Sequence, residues 1–246
     1  MAPLPYGGIQ GAGLLNPEGG RFRAVQDPYA SAVLARYGAT SALASGILAA
    51  LSAVFLVLFY AFEASALLES GSTEAWTPLG RTNDALVGLA VLAAIPAAFR
   101  PQHSWGTKAS GSRSVSRVAL GVALVSMVGL GLTQLAFAAG LVSSSVQGPI
   151  ATLGLGGVGL WVLLVSLGRA DPALGGRLRW IGVLTGVGNL LLPLAFFAAG
   201  GAPAIEDPQS VLASPLLLVG FMAGILSAEI GYPIWAIWLG RRLRAG

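Results

Sequence analysis

Long apolar stretches alternate with short polar ones along most of this chain, in a pattern typical of transmembrane helices. Apolar runs of about 18 or more residues are long enough to cross a bilayer as a helix. The pattern predicts an all-α integral membrane protein: a flexible N-terminal arm at 1–27, then a six-helix transmembrane domain at 28–246. The six predicted spans are 40–62, 84–99, 118–141, 151–167, 180–199 and 215–239.

The N-terminal arm is rich in glycine and proline and lacks the basic-then-apolar order of a signal peptide. Asp27 followed by Pro28 is typical of a helix start, because a capping side chain precedes a proline at the first helical position. Tyr29, Val33 and Tyr37 then fall on one helical face. We therefore predict a short interfacial helix between the arm and the first span.

Two further boundaries follow from polar and uncharged segments between the apolar runs. The set Thr82, Asn83 and Asp84 is predicted to cap the N-terminus of the second span, a more common role than an ion site. An uncharged link at 142–150 is predicted to separate the third and fourth spans.

The composition supports a membrane protein and excludes several kinds of chemistry. Hydrophobic residues make up 55% of the chain, charged residues make up 10%, and the mean hydropathy is +0.76. A soluble protein could not cover this much apolar surface with so few charges. Because cysteine is absent, the chain can form no disulfide, thiolate nucleophile or cysteine-ligated metal site. We expect neither a cofactor nor a metal.

The distribution of basic residues predicts the orientation of the six spans. Of the 14 Lys and Arg residues, all except Arg81 fall on the side that would hold both termini. This bias places the termini in the cytoplasm by the positive-inside rule, and it explains the net charge of +4 without a nucleic-acid partner. The expected partners are the bilayer and either further copies of the chain or other membrane subunits. The Arg-rich, Ala- and Gly-rich composition favours a prokaryotic plasma membrane.

Glu229, in the sixth predicted span, is the carboxyl expected near the middle of the membrane. It lies about ten residues from the arginine-bearing end of its helix, roughly 15 Å deep in a core of ~30 Å. Because an ionised carboxylate at that depth is costly, we expect Glu229 to be protonated. No basic residue or second carboxyl is expected at this depth. The predicted polar site comprises Glu229, Asn189, Gln134 and Tyr232, with Glu229 bonded to the fifth span.

Glycine pairs four residues apart predict close helix packing in the last two spans. These pairs are Gly182 with Gly186 and Gly220 with Gly224. Their spacing does not distinguish packing within one chain from packing between chains. Both spans also carry a polar residue followed four positions later by proline, namely Asn189 with Pro193 and Glu229 with Pro233. This parallel favours a shared polar interface.

Inverted repeats of three helices are a frequent plan of transporters, and two weak offsets are compatible with one here. Residues 92–99 resemble residues 190–197, with Pro96 and Pro193 at an offset of 97, and Gln134 aligns with Glu229 at an offset of 95. Because helices rich in Ala, Leu and Gly align easily, the repeat stays a hypothesis.

The residue inventory argues against an enzyme. The single histidine, His103, is predicted in a loop, which leaves no bis-histidine haem site and no intramembrane Ser-His dyad. Paired intramembrane carboxylates, which aspartyl-type proteolysis needs, are not expected either. Two functions remain: a non-enzymatic structural or accessory subunit of a membrane assembly or, alternatively, a small proton- or cation-coupled transporter or channel that uses Glu229 and Asn189.

Overall fold

The computed structural model describes residues 28–63, 77–99, 110–167, 175–198, 200–201 and 214–245. The predicted N-terminal arm at 1–27 lies outside these residues. Within the described ranges the regular structure is helical, with no strand. Its elements are α1 Pro28–Phe62, α2 Pro78–Ala93, α3 Ile95–Ala98, α4 Ser110–Ala138, α5 Ser144–Leu167, α6 Gly176–Ala198, α7 Pro215–Leu226, a π-helical turn Ser227–Gly231, and α8 Tyr232–Ala245.

Five helical segments of the described chain are long and apolar enough to cross a membrane. They are Arg36–Phe62, Val118–Ala138, Ser144–Leu167, Gly176–Ala198 and Pro215–Arg244. Large apolar side chains such as Val57, Val125 and Leu184 point outward from these segments, with 67%, 75% and 67% of their surface exposed. Lipid is the surrounding that suits such a surface. The prediction of an all-α, multi-pass membrane protein is confirmed.

Helix α2 begins earlier than predicted, and its cap is a different residue. Thr77 is the N-cap: its Oγ1 accepts a hydrogen bond from the backbone N–H of Gly80 at 3.2 Å, and Pro78 follows at the first helical position. The carboxylate of Glu63 accepts the N–H of Leu79 at 3.2 and 3.3 Å. The predicted cap at residues 82–84 is therefore wrong. Asp84 lies in the second turn of α2, one turn inside the helix.

Pro96 separates α2 from the short helix α3. Because proline has no backbone N–H, the helical hydrogen bonds are interrupted around Ala94. Ser41 of α1 supplies hydrogen bonds at this break. Its Oγ donates to the carbonyl of Ala93 and accepts the N–H of Ala97 at 3.2 Å. Backbone groups in a membrane need such partners, so this contact holds α1 against the break.

Two other predicted boundaries are wrong. Helix α1 runs from Pro28 to Phe62 without interruption, so no separate interfacial helix precedes the first span. The Ala-rich sequence around Gly38 favours continuous helix, and one glycine is not enough to end it. Helix α5 begins at Ser144, inside the predicted link at 142–150. Pro149 is accommodated near its N-terminus, where the missing N–H costs one intrahelical bond.

The helices form a closed ring around a common centre. Helix α1 packs against both α2 and α8. Along the rest of the ring, α2 contacts α4, α4 contacts α5, α5 contacts α6, and α6 contacts α7. Small residues allow close approach at the crossings. A Cβ on Gly88 of α2, for example, would stand 2.8 Å from the carbonyl oxygen of Gly131 on α4. The tight crossings hold the inward-facing side chains of different helices near one another.

Candidate functional site: a polar cavity inside the helix ring

A cavity of about 110 Å³ lies inside the ring, and α1, α2, α4, α5, α6, α8 and the π-helical turn all line it. This volume is enough for several water molecules. Apolar residues such as Val87, Leu155 and Val158 form part of its wall. Its polar lining consists of Ser52, Asn83, Asp84, Gln134, Asn189, Glu229 and Tyr232.

Two carboxyl groups, those of Asp84 and Glu229, line this cavity together. Both side chains are half-buried. None of the described residues that line the cavity is Lys, Arg or His. The expectation that Glu229 has no second carboxyl near it is therefore wrong. Two carboxylates in one poorly solvated space repel each other, so this site favours a bound proton or cation.

The π-helical turn brings Glu229 to the cavity. Pro233 has no N–H to bond the carbonyl of Glu229 four residues earlier, so the ordinary α-helical ladder cannot continue here. The N–H of Tyr232 instead bonds the carbonyl of Ser227, five residues back. The resulting turn is wider than an α-helical one, and such turns are frequent at functional sites.

The hydrogen bond of Glu229 goes to the first helix and not to α6. The hydroxyl of Ser52 on α1 donates to Oε2 of Glu229 at 3.2 Å. The predicted bond from Glu229 to the fifth span is therefore not the one formed. Asn189 of α6 lines the same cavity, as the parallel spacing of the two polar–proline pairs predicted, but its Oδ1 has no hydrogen-bond partner.

The remaining two residues of the predicted site also line the cavity. The hydroxyl of Tyr232 forms a buried hydrogen bond of 2.7 Å with Oγ of Ser45 on α1. Oε1 of Gln134 accepts a bond of 3.0 Å from Nε2 of Gln147 at the start of α5. These bonds fix the two side chains against the wall.

Two amide oxygens of residues that line the cavity have no hydrogen-bond partner among the described residues. Asn189 is 1% exposed and Asn83 is 9% exposed, and the Oδ1 atom of each is buried without a hydrogen-bond partner. A buried polar atom that lacks a partner costs about 1–3 kcal/mol. Water or a cation in the cavity would supply the missing interactions.

The four predicted packing glycines lie at contacts within the chain. A Cβ on Gly186 would stand 2.7 Å from the carbonyl oxygen of Gly159 on α5, and one on Gly224 would stand 2.8 Å from the Leu192 Cβ on α6. Gly220 packs against Ala195. A Cβ on Gly182 would meet the side chains of Ser166 on α5 and Trp235 on α8. Each of the four glycines therefore allows two helices of this chain to approach closely.

Trp235 is a core residue, although it lies near the end of its helix. It is 1% exposed and makes an edge-to-face contact with Trp161, with ring centroids 5.4 Å apart. Trp180, by contrast, is 67% exposed. The two tryptophans differ because Trp235 faces the helix ring and Trp180 faces outward.

Sequence reasoning missed the contributions of Asp84, Asn83 and Ser52 to the site. The signal for Asp84 was the pair Thr77–Pro78, which is a better helix start than residues 82–84 because it combines a cap with a proline at the first position. With that start, Asp84 falls inside the helix. Comparisons of this chain with protein-family models, curated proteins and solved structures find no match.

Proposed function

We propose that this protein is a small proton- or cation-coupled transporter or channel whose binding site is the central cavity. The observation that carries the proposal is that Asp84 and Glu229, from different helices, line one cavity that no basic side chain of the described chain enters. Intramembrane acids are costly and are usually found on ion or proton pathways. Protonation or a bound cation would remove that cost.

In this proposal α2 and α3 together form a sixth span. Residues 78–98 extend for roughly 30 Å at 1.5 Å per residue, which is close to the thickness of the hydrocarbon core. With six spans, both termini lie on one side. The hydrogen bond of 3.5 Å from Nη2 of Arg244 to Oγ1 of Thr40 agrees with this, because it joins the end of α8 to the first part of α1. The arginine bias makes that side cytoplasmic, and the membrane is the plasma membrane of a prokaryote.

The chemistry of the lining suits a hard cation or a proton. Carboxylate, amide and hydroxyl oxygens are available from Glu229, Asn189 and Ser52, among others, and oxygen is the ligand that hard cations prefer. Each carboxyl can also take up or release a proton while its neighbours supply hydrogen bonds. An occupied site would thus satisfy the unpartnered amide oxygens and reduce the repulsion between the acids.

The alternative of a structural or accessory subunit makes a different demand on the same residues. In that role Glu229 would be protonated and would hydrogen-bond to a neighbouring helix. The polar groups around it would each have a hydrogen-bond partner. The cavity instead retains two unpartnered amide oxygens and a second acid. These features favour transport, while assembly with further copies or with other subunits stays compatible with it.

The test is proton flux into liposomes that contain the purified protein and a pH-sensitive dye. Flux is driven by an imposed membrane potential, and in parallel by gradients of Na⁺, K⁺ or Ca²⁺. We expect flux above that of empty liposomes, and we expect Asp84→Asn and Glu229→Gln each to reduce it to the background. Glu63→Gln is the matched control, because that carboxylate binds the start of α2 and does not line the cavity.

Two outcomes would overturn the proposal. One is wild-type flux from both cavity variants, which would remove the carboxyl groups from any transport role. The other is the absence of flux under every gradient in correctly folded protein, which would leave the accessory-subunit function.

A further inference from the structure

Three buried polar groups lie next to the cavity on the side of the arginine-bearing helix ends. They are Oγ of Ser166 on α5, Oγ1 of Thr185 on α6 and Nε1 of Trp235 on α8, and none of the three atoms has a hydrogen-bond partner among the described residues. The three side chains are 0%, 2% and 1% exposed, respectively. We call these three residues the inner polar cluster.

Geometry connects the inner polar cluster to the cavity along one face of α6. Asn189, Thr185 and Gly182 follow one another at spacings of four and three residues, which places them on the same helical face. Asn189 lines the cavity. Thr185 Oγ1 lies 2.5 Å from the position of a Cβ on Gly231, in the turn that carries Glu229. Ser166 Oγ and Trp235 Nε1 both lie within 2.5 Å of the position of a Cβ on Gly182.

Beyond Gly182 this face of α6 continues to Leu178, which is 1% exposed and is flanked by Arg177 and Arg179 at the start of the helix. At a rise of 1.5 Å per residue, Asn189, Thr185 and Gly182 stand roughly 20, 14 and 9 Å from that start. Within the described chain, the buried side-chain polar atoms without a partner are the two cavity amides and the three groups of this cluster.

Unpartnered polar groups in a membrane are costly, so a cluster of them needs a physical cause. Water that enters transiently would satisfy all three groups of the inner polar cluster. We propose that this cluster marks a path for a chain of water molecules, which conducts protons between the cavity and the arginine-bearing end. This inference rests on the transport function proposed above and assigns the transported ion to the proton class.

The donors and acceptors of the cluster explain why the ion is a proton and not a metal cation. An indole N–H is a donor only, so Trp235 offers no ligand to a metal ion and repels its charge. A metal ion that leaves its water shell needs several oxygen ligands, and the cluster offers only two hydroxyl oxygens. A proton passes from water to water and needs only donors and acceptors that keep the chain in place.

Water access can be measured at Trp235 without reference to transport. In protein labelled with ¹⁵N-tryptophan and held in detergent micelles, exchange of the indole N–H with water is followed by NMR, and signals are assigned with single Trp→Phe variants. We expect rapid exchange at the indole of Trp235, although its side chain is 1% exposed. Exchange at this indole as slow as at the helical backbone N–H of the same residue would overturn the proposal.

Proton flux supplies the second readout. Thr185→Val keeps the shape of the side chain but removes its hydroxyl, and Ser166→Ala removes the other hydroxyl. We expect each to slow proton flux about fivefold, the effect of losing one hydrogen bond to the water chain. Thr185→Ser should retain flux near the wild-type rate. Thr152→Val is the matched control, since Thr152 is a buried threonine of α5 that does not line the cavity.

The two proposals fail in different ways. If Glu229→Gln abolishes flux while Thr185→Val and Ser166→Ala leave it unchanged, the water path is wrong and the cavity keeps its role. If wild-type flux is carried by Na⁺, K⁺ or Ca²⁺ and not by protons, the assignment of the ion is wrong. If the carboxyl variants retain flux, the transport function itself is wrong.

Discussion

The cavity and the inner polar cluster are both polar regions of one apolar helix ring, but they differ in charge and in space. The cavity holds two half-buried carboxyl groups and about 110 Å³ of room. The inner polar cluster holds only neutral groups, each at most 2% exposed. The two acids therefore lie where the helices leave space between them, and the neutral groups lie where the helices pack closely together.

This difference follows from the cost of burying polar groups. A neutral hydroxyl without a partner costs about 1–3 kcal/mol, whereas an isolated buried charge costs far more. A membrane protein can therefore keep a neutral path closed and dry for part of the time. It cannot do the same with a carboxylate unless a proton or cation comes with it.

The largest effect is expected from removing both acids of the cavity. The combined variant Asp84→Asn/Glu229→Gln should carry no proton flux above that of empty liposomes, as should each single variant. Because both acids line one site, the second substitution should add nothing to the first. Residual flux in the single variants that falls by the same factor again in the combined variant would show that the acids act independently.

Adding a side chain at the tight crossing of α5 and α6 should lower the folding stability. A Cβ on Gly159 would stand 2.5 Å from the Asn189 Cβ and 3.0 Å from the carbonyl oxygen of Gly186. Gly159→Leu should therefore destabilise the protein by about 1–3 kcal/mol, measured as a lower thermal midpoint in detergent. Gly121→Leu is the control, because no other helix of the described chain comes within 4 Å of a Cβ there. Equal midpoints for the two variants would contradict the described crossing.

A smaller effect is expected at the wall of the cavity. Tyr232→Phe removes the hydroxyl that bonds Ser45 Oγ at 2.7 Å and should cost about 1 kcal/mol of stability. Flux should fall only partly, since both acids remain. Ser45→Ala in the Tyr232→Phe background should then add less than it does in the wild-type protein. Full additivity of the two midpoint shifts would argue against this bond.

The smallest effect on proton flux is expected at the N-cap of α2, which belongs to neither polar region. Thr77→Ala loses the bond to the Gly80 N–H and should lower the stability by about 0.5–2 kcal/mol, the usual range for a lost cap. Proton flux per folded molecule should be unchanged. A matching Thr82→Ala substitution should have less effect, because Thr82 bonds the Pro78 carbonyl within the helix. A larger loss of stability in Thr82→Ala than in Thr77→Ala would instead support the cap predicted at residues 82–84.

Much of the fold could be predicted from the apolar runs alone, because a bilayer leaves little choice but helices about 20 residues long. The predicted spans at 118–141 and 215–239 end within a few residues of the apolar segments 118–138 and 215–244. Helix starts were less predictable where two signals competed. Thr77–Pro78 and the set at 82–84 both resemble caps, and the geometry of one turn decides between them.

The site could be predicted only in part, since its composition depends on which helices meet. Glu229, Asn189, Gln134 and Tyr232 are polar groups that the sequence places at membrane depth, and all four line the cavity. Asp84 could not be paired with Glu229 from spacing, because 145 positions separate them in the sequence and the ring closure of α1 on α8 brings them together. Likewise, nothing local marks Ser52 as the partner of Glu229.

Infrared spectroscopy of the carboxyl groups in the reconstituted protein, recorded as the pH is changed, tests directly whether Asp84 and Glu229 share one cavity. If Asp84 and Glu229 share one cavity, replacing Glu229 by Gln will remove one carboxyl band and will also change the pH at which the Asp84 band appears, because neighbouring acids titrate as a coupled pair. Asp84→Asn will have the reciprocal effect on Glu229. An Asp84 band that titrates identically with and without Glu229 would contradict the claim that these two acids form one site.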